Sequence, residues 1–309
     1  MKVIYDIKKF PRKCRRSIVA IGVFDGVHKG HQTLIKSAVQ RARALKIHAV
    51  VMTFHPHPVN VLHPEVRLPL IVSLSYRLKL IEDLGVDTAI VIRFTKNFSH
   101  LRPENFIKHY LVNPIQPREI FVGDDFRFGQ NRTGTVDLFK NVGEQYGFSV
   151  KAIHPIKRKG ETVKISSTTI RQWVSEGQLK QAQRLLGRPV SMMGRVIKGD
   201  GRGKMLGFPT ANILPYDEIF VPIGVYAVHV IMGDHRYQGM ANVGRRPSFK
   251  NDGQITIEVH IFDFHQNIYG QDIIIEFIKK IRPEKIFFSH QEFISQLQKD
   301  QKTARNLLR

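Results

Sequence analysis

The 309-residue sequence has little cysteine and no long hydrophobic run. Its one cysteine, Cys14, excludes an intramolecular disulfide and is typical of a reducing compartment. No apolar run approaches the roughly 20 residues that a helix needs to cross a bilayer. The N-terminal segment also lacks the apolar core and small-residue cleavage site of a secretory signal. We therefore expect a cytoplasmic protein with no membrane partner.

Internal repeats, low-complexity segments and a long basic tail are also absent from the sequence. Hydrophobic residues make up 42% and charged residues 24%, which is a globular composition. The net charge of +22 favours anionic partners, but the basic residues are spread along the chain, with local clusters at 8–16 and 157–164. We expect attraction for anionic nucleotides and no nucleic acid; a basic nucleic-acid-binding protein is the alternative from another class.

The first half of the chain alternates strand-like and helical patterns. Predicted strands cover residues 18–24, 49–54, 89–94, 120–122 and 148–153, and helical patterns cover 32–45, 76–84, 104–111 and 136–146. Because right-handed βαβ connections need this alternation, we expect an α/β domain with a doubly wound parallel sheet. A further helical stretch from Ser166 or Ser167 ends at Gly187, which places the domain boundary near residue 188.

The second half changes to short strands separated by glycine and proline turns. The strand-like runs cover residues 192–197, 210–214, 224–232, 237–243, 255–264 and 272–281. This pattern predicts a small closed β-barrel, and the apolar spacing after residue 289 predicts a C-terminal helix against it. We therefore expect two domains, residues 1–188 and residues 189–309.

Two histidines follow the first predicted strand, in the segment IVAIGVFDGVHKGH at residues 18–31. Gly26 precedes His28, Gly30 separates it from His31, and a helix is predicted to begin there. Amide donors and the positive end of the helix dipole suit such a position to anions, and imidazoles there can hydrogen-bond phosphate oxygens. The alternative is a pair of surface histidines in an ordinary loop, but the strand, glycines and helix together favour phosphate binding.

Two further motifs of the first half suggest a nucleotide site. In VGDDFRFG, at residues 122–129, Asp124 and Asp125 follow a strand and could hold a sugar, a base or Mg²⁺, or could only stabilise a polar turn. In KISSTTIR, at residues 164–171, hydroxyl groups and two cations surround a helix start that could bind outer phosphates or could simply be a capped helix.

The second half contains a glycine-rich segment that lets a backbone approach phosphates closely. Gly199, Gly201, Gly203 and Gly207 surround Lys204 and precede Thr210 and Asn212. The segment is not a Walker A loop, since Lys198 and Met205 stand where that motif needs Gly and Ser or Thr. A glycine-rich hairpin is the alternative, which the string GFPTAN disfavours.

The motifs together resemble a known family. GVFDGVHKGH, VGDDFRFG and ISSTTIR resemble the adenylyltransferase module of the bacterial bifunctional riboflavin kinase/FAD synthetases. GRVIKGDGRGKMLGFPTAN (194–212), GVYAV, GMANVGRRPSF and IEVHIFDF resemble the riboflavin kinase module of the same family. The resemblance spans nearly the whole chain. It implies that ATP and Mg²⁺ serve two reactions, phosphorylation of riboflavin to FMN and adenylylation of FMN to FAD.

In the first domain, the resemblance implies that His28 and His31 stabilise charge on the α-phosphoryl group of ATP while the FMN phosphate attacks. Ser167, Thr168 and Arg171 would hold the leaving pyrophosphate, and Asp125 would lie near the metal. The expected nucleotide-binding residues of this domain are Gly22, Phe24, Asp25, Gly26, Gly30, Asp125, Lys164, Ser167, Thr168 and Arg171.

In the second domain, the resemblance implies that Thr210 and Asn212 bind Mg²⁺ and ATP phosphates and that Glu258 is the general base. Strand alternation places Glu258 and His260 together, opposite an apolar face, although a solvent-facing strand glutamate is the alternative. The expected nucleotide-binding residues are Gly199, Gly203, Lys204, Gly207, Pro209, Thr210 and Asn212.

Three residues depart from the pattern of the family: His55, Lys164 and Thr169. Lys164 would replace a bidentate arginine by a point charge. His55 and His57 suggest a substrate-adjacent loop more than a metal site. A nucleotidyltransferase for another phosphorylated acceptor, fused to a barrel that only binds, is the alternative enzyme. GFPTAN and Glu258 argue against it, because a passive barrel needs neither a phosphate loop nor a base.

Overall fold

The computed structural model describes residues 1–154, 165–199, 207–216, 221–245 and 255–309. They form two compact units, one of Met1–Leu70 with Leu74–Ser167 and one of Ile71–Ser73 with Thr168–Arg309. The predicted fold class is confirmed, since the first unit holds a parallel sheet with helices and the second a closed barrel and a C-terminal helix. The boundary near residue 188 stays a prediction. No helix in the described ranges is both long and apolar enough to cross a membrane.

The first unit is built on a six-stranded sheet. Its strands are β1 (Lys2–Ile4), β2 (Ile18–Ile21), β3 (Ala49–His55), β4 (Thr88–Arg93), β5 (Glu119–Gly123) and β6 (Ser149–Ile153). Every pairing is parallel, in the order β1-β4-β3-β2-β5-β6. Because the order reverses between β2 and β5, the carboxyl ends of these strands border the crevice where open α/β sheets bind ligands.

Helices connect these strands. They are α1 (Lys29–Ala44), α2 (Pro58–Leu62), α3 (Leu74–Glu82), α4 (Lys96–Ser99), α5 (Pro103–Phe106), α6 (Asn113–Ile115) and α7 (Val136–Tyr146), with a π-helical segment (Ile107–Val112) between α5 and α6. Single 3₁₀ turns lie at Ile7–Lys9, Arg12–Cys14, Pro64–Val66 and Gln130–Arg132.

Both faces of the sheet are buried, which makes the fold doubly wound. Val19 and Ile21 of β2 pack in one apolar cluster that includes Phe139 of α7. Ile18 and Ala20 pack in a second cluster with α1. Successive strand residues point to opposite faces, so a central strand covered on both sides reads as the continuous apolar run seen in the sequence.

The second unit contains a barrel between helices. Its elements are α8 (Ser167–Ser175), which begins at the last residue of the first unit, α9 (Leu179–Leu186), β7 (Val190–Ile197), β8 (Ala211–Pro215), β9 (Gly224–Met232), β10 (His235–Arg245), β11 (Ile255–Ile261), β12 (Asp272–Arg282) and α10 (His290–Leu307). The antiparallel strands close in the order β10-β11-β8-β7-β12-β9. The Ser289 side chain caps α10, which contacts β9, β10 and β12.

The strand predicted over residues 18–24 ends earlier, at Ile21. Phe24, Gly26 and Val27 have φ values of 53°, 80° and 41°, which a strand cannot contain. The chain therefore leaves the sheet three residues before Phe24 and forms a tight loop ahead of α1. This loop carries the first motif.

Candidate active site

The loop between β2 and α1 positions the two predicted catalytic histidines. His28 is the N-cap of α1, and its Nδ1 accepts a hydrogen bond from the His31 amide at 3.3 Å. An Nδ1 that accepts leaves the proton of the neutral ring on Nε2. The two imidazoles stack with centroids 3.5 Å apart, and a Cβ on Gly30 would lie 3.3 Å from the His28 ring. The predicted helix-terminal position of both histidines is thus present in the structure.

Side chains from elsewhere in the first unit hold three carbonyl oxygens of this loop. The donors are Thr53 and Arg77 to Val23, Ser167 to Asp25, and Gln32 to Val27, at 2.8 to 3.0 Å. A β-branched residue with positive φ costs about 1–3 kcal/mol and persists only where its surroundings fix it. These hydrogen bonds hold the loop between β2 and α1 in this conformation. The Ser167 bond also brings the third sequence motif against the first.

The charge state of His31 is set by its surroundings. Burial holds the pKa of His31 well below its usual range, and His28 and Arg77 lower it further. Within the described part of the chain, Nδ1 of His31 has no hydrogen-bond partner. Burial also lowers the pKa of Arg77, while the Asp25 carboxylate acts in the opposite direction. His31 is therefore a neutral imidazole at physiological pH and can donate one directed hydrogen bond.

A cavity of about 1010 Å³ opens beside the histidines, at the carboxyl ends of the central strands. Seven residues of the predicted nucleotide site line it: Gly22, Phe24, His28, Gly30, His31, Asp125 and Ser167. Asp25 and Gly26 belong to the same loop without lining the cavity. A volume near the upper end of the usual range for ligand pockets leaves room for more than one small substrate.

A cluster of six phenylalanines that were not among the predicted site residues also lines the cavity. In order of contact they are Phe54, Phe94, Phe98, Phe106, Phe128 and Phe126, with the centroids of neighbouring rings 5.5 to 6.3 Å apart. The sequence contained a signal, since 20 phenylalanines accompany only eight tyrosines and one tryptophan. Phenylalanine is usually core, so only the cavity distinguishes these residues as a binding surface.

Polar side chains lie around the same cavity. His154 Nδ1 lies 3.1 Å from Asp124 Oδ2, next to Asp125. His57 caps α2, since its Nδ1 accepts a hydrogen bond from the Val59 amide at 3.2 Å, and it lines the cavity, whereas His55 does not; the substrate-adjacent loop stays a prediction. Lys164 lies outside the described residues. Thr168 and Arg171 follow Ser167 along α8, in the second unit.

In the barrel, three polar residues stand side by side on adjacent strands. Glu258 of β11 is directly opposite Asn212 of β8 on one side and Asn242 of β10 on the other. Opposite residues of antiparallel strands share a face, with Cβ atoms about 5 Å apart. Ile257 and Val259 are buried on the other face. Asn242 was not among the predicted site residues, and the register adds it to the row.

Gly199, at the end of the described part of β7 and its following turn, lies close to the side chain of Asn212. A Cβ on Gly199 would lie 1.9 Å from Nδ2 of Asn212, so the glycine makes space for that amide. His260 Nδ1 donates to the Pro209 carbonyl at 2.8 Å and holds the turn just ahead of Thr210. Gly207 has a φ of 78°, which favours glycine. Gly203 and Lys204 lie outside the described residues.

Within the described ranges, no group of three or more His, Cys, Asp or Glu side chains could hold a metal ion. A hard cation such as Mg²⁺ is commonly bound by one or two protein oxygens together with substrate phosphates. Asp125 in the first unit, and Thr210 and Asn212 in the second, offer oxygens of that kind.

The chain is similar to known proteins over both units. A family model described as FAD synthetase matches residues 10–169, and one described as riboflavin kinase matches residues 186–308. A bifunctional riboflavin kinase/FMN adenylyltransferase from Buchnera aphidicola subsp. Schizaphis graminum is 37% identical over 97% of this chain and 96% of its own length. The Listeria monocytogenes protein of the same name is 38% identical over 93% of this chain and 91% of its own length.

A solved structure supports the fold assignment. A crystal structure described as a macrolide-efflux protein from Streptococcus pneumoniae has a TM-score of 0.84 and 33% identity, covering 98% of both chains. The two family models match both units, and the relatives are more than 30% identical to this chain over nearly their whole length. The chain belongs to the family of bifunctional riboflavin kinase/FMN adenylyltransferases.

Proposed function

We propose that this chain makes FAD in two steps, phosphorylating riboflavin in the barrel unit and adenylylating the resulting FMN in the first unit. The cavity of the first unit carries this assignment. Its lining includes His28 and His31 at a helix N-terminus, where phosphates bind, and a cluster of phenylalanines suited to a flat flavin ring.

In the adenylyl transfer, the FMN phosphate attacks the α-phosphorus of ATP and pyrophosphate leaves. The chain supplies no nucleophile, so its task is positioning and charge stabilisation. Nε2–H of His28 and the neutral ring of His31 donate to oxygens of the α-phosphoryl group as charge develops there. The motif assigns Lys164, Ser167, Thr168 and Arg171 to the leaving pyrophosphate, and these roles stay predictions.

In the kinase reaction, Glu258 accepts the proton of the primary hydroxyl of riboflavin as that oxygen attacks the γ-phosphorus of ATP and ADP leaves. Asn212 beside it and Thr210, just before β8, bind the phosphates. Gly199, Gly207 and Pro209 form the described part of the phosphate loop, whose Gly203 and Lys204 belong to the same motif.

The residues present fit Mg²⁺ at both sites. The Asn212 amide lies in space that a Cβ on Gly199 would occupy and is paired in register with Glu258, and Asp125 lines the cavity of the first unit. Thr210 and Asn212 would hold the ion in the barrel, and Asp125 would hold it in the first unit. When bound, Mg²⁺ neutralises phosphate charge. A cytoplasmic location and the limits 1–188 and 189–309 belong to the same proposal.

The test is incubation with riboflavin, ATP and Mg²⁺, followed by chromatographic separation of the flavins. Wild type is expected to form FMN and then FAD. His28→Ala or His31→Ala is expected to stop at FMN, whereas Glu258→Ala is expected to block FMN formation yet convert supplied FMN to FAD. Matched controls are His109→Ala, an exposed histidine of the first unit, and Asp234→Asn, an exposed carboxylate in a barrel turn.

Formation of neither product by wild type would refute the proposal. FAD formation with no riboflavin phosphorylation would favour a nucleotidyltransferase with a barrel that only binds. Tight, salt-sensitive RNA binding that survives both histidine changes would favour the nucleic-acid-binding alternative.

A further inference from the structure

Arg77 is a buried cation that none of the sequence motifs includes. It lies on α3 with 0% of its surface exposed, although arginine is almost never fully buried unless it is paired. Its Nη1 donates to the carbonyl oxygens of Val23 at 2.9 Å and Phe54 at 3.3 Å. Its Nε and Nη2 have no hydrogen-bond partner among the described residues. A partly unpaired guanidinium destabilises the fold, so its presence needs another explanation.

The hydrogen bonds of Arg77 reach the base of the histidine loop. Val23 is the last residue before the positive-φ segment that begins at Phe24, and its carbonyl oxygen also accepts from Thr53 Oγ1 at 2.9 Å. Nη1 therefore joins the ends of β2 and β3 at the point where the strained loop starts. Loss of this donor would loosen the backbone that places His28.

The charge of Arg77 acts on the histidines as well. The charged or titratable groups that influence His31 are His28 on its own helix and Arg77 from α3, and Asp25 of the loop acts on Arg77. A nucleotide triphosphate entering the cavity would favour protonation of His31, and the buried cation opposes this.

We propose that Arg77 is a positioning residue for adenylyl transfer, which fixes the backbone of the histidine loop through its hydrogen bonds to the carbonyl oxygens of Val23 and Phe54. Arg77 does not line the cavity, so it acts through this backbone and not on the substrate. The inference rests on the proposed adenylyl transfer. It adds a buried positioning residue behind the histidines to that site.

The test compares Arg77→Met, which removes the donor at similar side-chain length, with Arg77→Lys, which keeps a donor. The kcat and the KM for ATP are measured for FAD formation from FMN and ATP. Arg77→Met is expected to lower kcat about tenfold while the KM for ATP changes little, because the loop loses its anchor at Val23, and Arg77→Lys is expected to recover part of the loss. Lys79→Met, at an exposed neighbour on α3, is the matched control, and riboflavin phosphorylation in each preparation reports the folded barrel.

A wild-type kcat in Arg77→Met, or a change confined to the KM for ATP, would overturn the inference. If Arg77→Met does not fold, Thr53→Val decides, because it removes the other side-chain donor to the Val23 carbonyl oxygen. A lower kcat at an unchanged KM supports the inference, and a wild-type kcat refutes it. Failure of wild type itself to form FAD would refute the proposed function, not this inference.

Discussion

Tyr226 shows how burial of one polar group makes stability depend on pH. Its side chain is fully buried in the barrel unit, and its hydroxyl donates to the Pro222 carbonyl oxygen. Burial raises the pKa of Tyr226 to about 12. The folded state therefore holds this proton more tightly than the unfolded state does, where a tyrosine has a pKa near 10.

We expect the stabilisation linked to Tyr226 to be complete below about pH 10 and to be lost as the pH rises through about 12. Tyr226→Phe should remove this alkaline dependence. Absorbance titration of tyrosinate in wild type and variant checks the assignment, because the late-ionising component should be smaller by one tyrosine in the variant. Tyr216, whose pKa is also raised, mainly by burial, remains in both proteins as an internal reference. An identical late component in the variant would contradict the assignment.

At the scale of single residues, the sequence predicted the residues that line the cavity better than the residues that hold them in place. His28, His31, Asp125 and Ser167 came from motifs and line one cavity. Arg77 could not be predicted, because sequence patterning treats arginine as exposed and its acceptors, Val23 and Phe54, come from distant segments. The cluster of cavity-lining phenylalanines was not predicted for a related reason, because phenylalanine occurs both in apolar cores and on binding surfaces.

Elements with local start and stop signals were predicted best. The bounds of α7, Val136–Tyr146, agree with the pattern because Thr135 caps its first turn and Gly147 ends it with a φ of 76°. Strand β1 was missed, since three residues carry too little periodicity and its pairing with β4 spans more than 80 residues. Local signals thus fix helix ends, whereas short strands depend on partners far along the chain.

Helix α10 is attached to the barrel by a buried ion pair. Arg282 of β12 donates from Nε to both carboxylate oxygens of Asp300, at 3.1 and 2.9 Å, and Gln296 Nε2 donates to the same carboxylate at 2.8 Å. The Asp300 side chain is 2% exposed. Removing one member of such a pair leaves the other charged and buried without compensation.

Asp300→Asn is therefore expected to lower the unfolding free energy of the barrel unit by about 3 kcal/mol. Asp263→Asn breaks the exposed pair with Arg305 and is expected to change stability little. Urea unfolding, followed by fluorescence of the single tryptophan, Trp173 of the second unit, compares the two variants. Equal midpoints would show that the buried pair does not hold α10 in place.

The whole molecule combines two reactions whose residues fall in separate compact units, with the histidine cavity in one and the Glu258 row in the other. Each unit has its own apolar core, and the product of one proposed reaction is the substrate of the other. The two activities should therefore be genetically separable.

Mixing His31→Ala with Glu258→Ala is expected to restore FAD formation from riboflavin, because FMN made by the first variant can diffuse to the second. The time course should show a lag that shortens as the protein concentration rises. Each variant alone, at the combined concentration, is the control. No FAD in the mixture, with both single activities intact, would mean that FMN passes between sites only within one chain.

The closure of the barrel has a consequence for synthesis. Strand β12 (Asp272–Arg282) lies between β7 and β9, so it completes two pairings at once and is the last strand of the barrel to leave the ribosome. A nascent or truncated chain that stops before Asp272 would expose two open strand edges, which readily pair with other chains. Pausing or premature termination of translation before β12 is complete is therefore expected to favour aggregation.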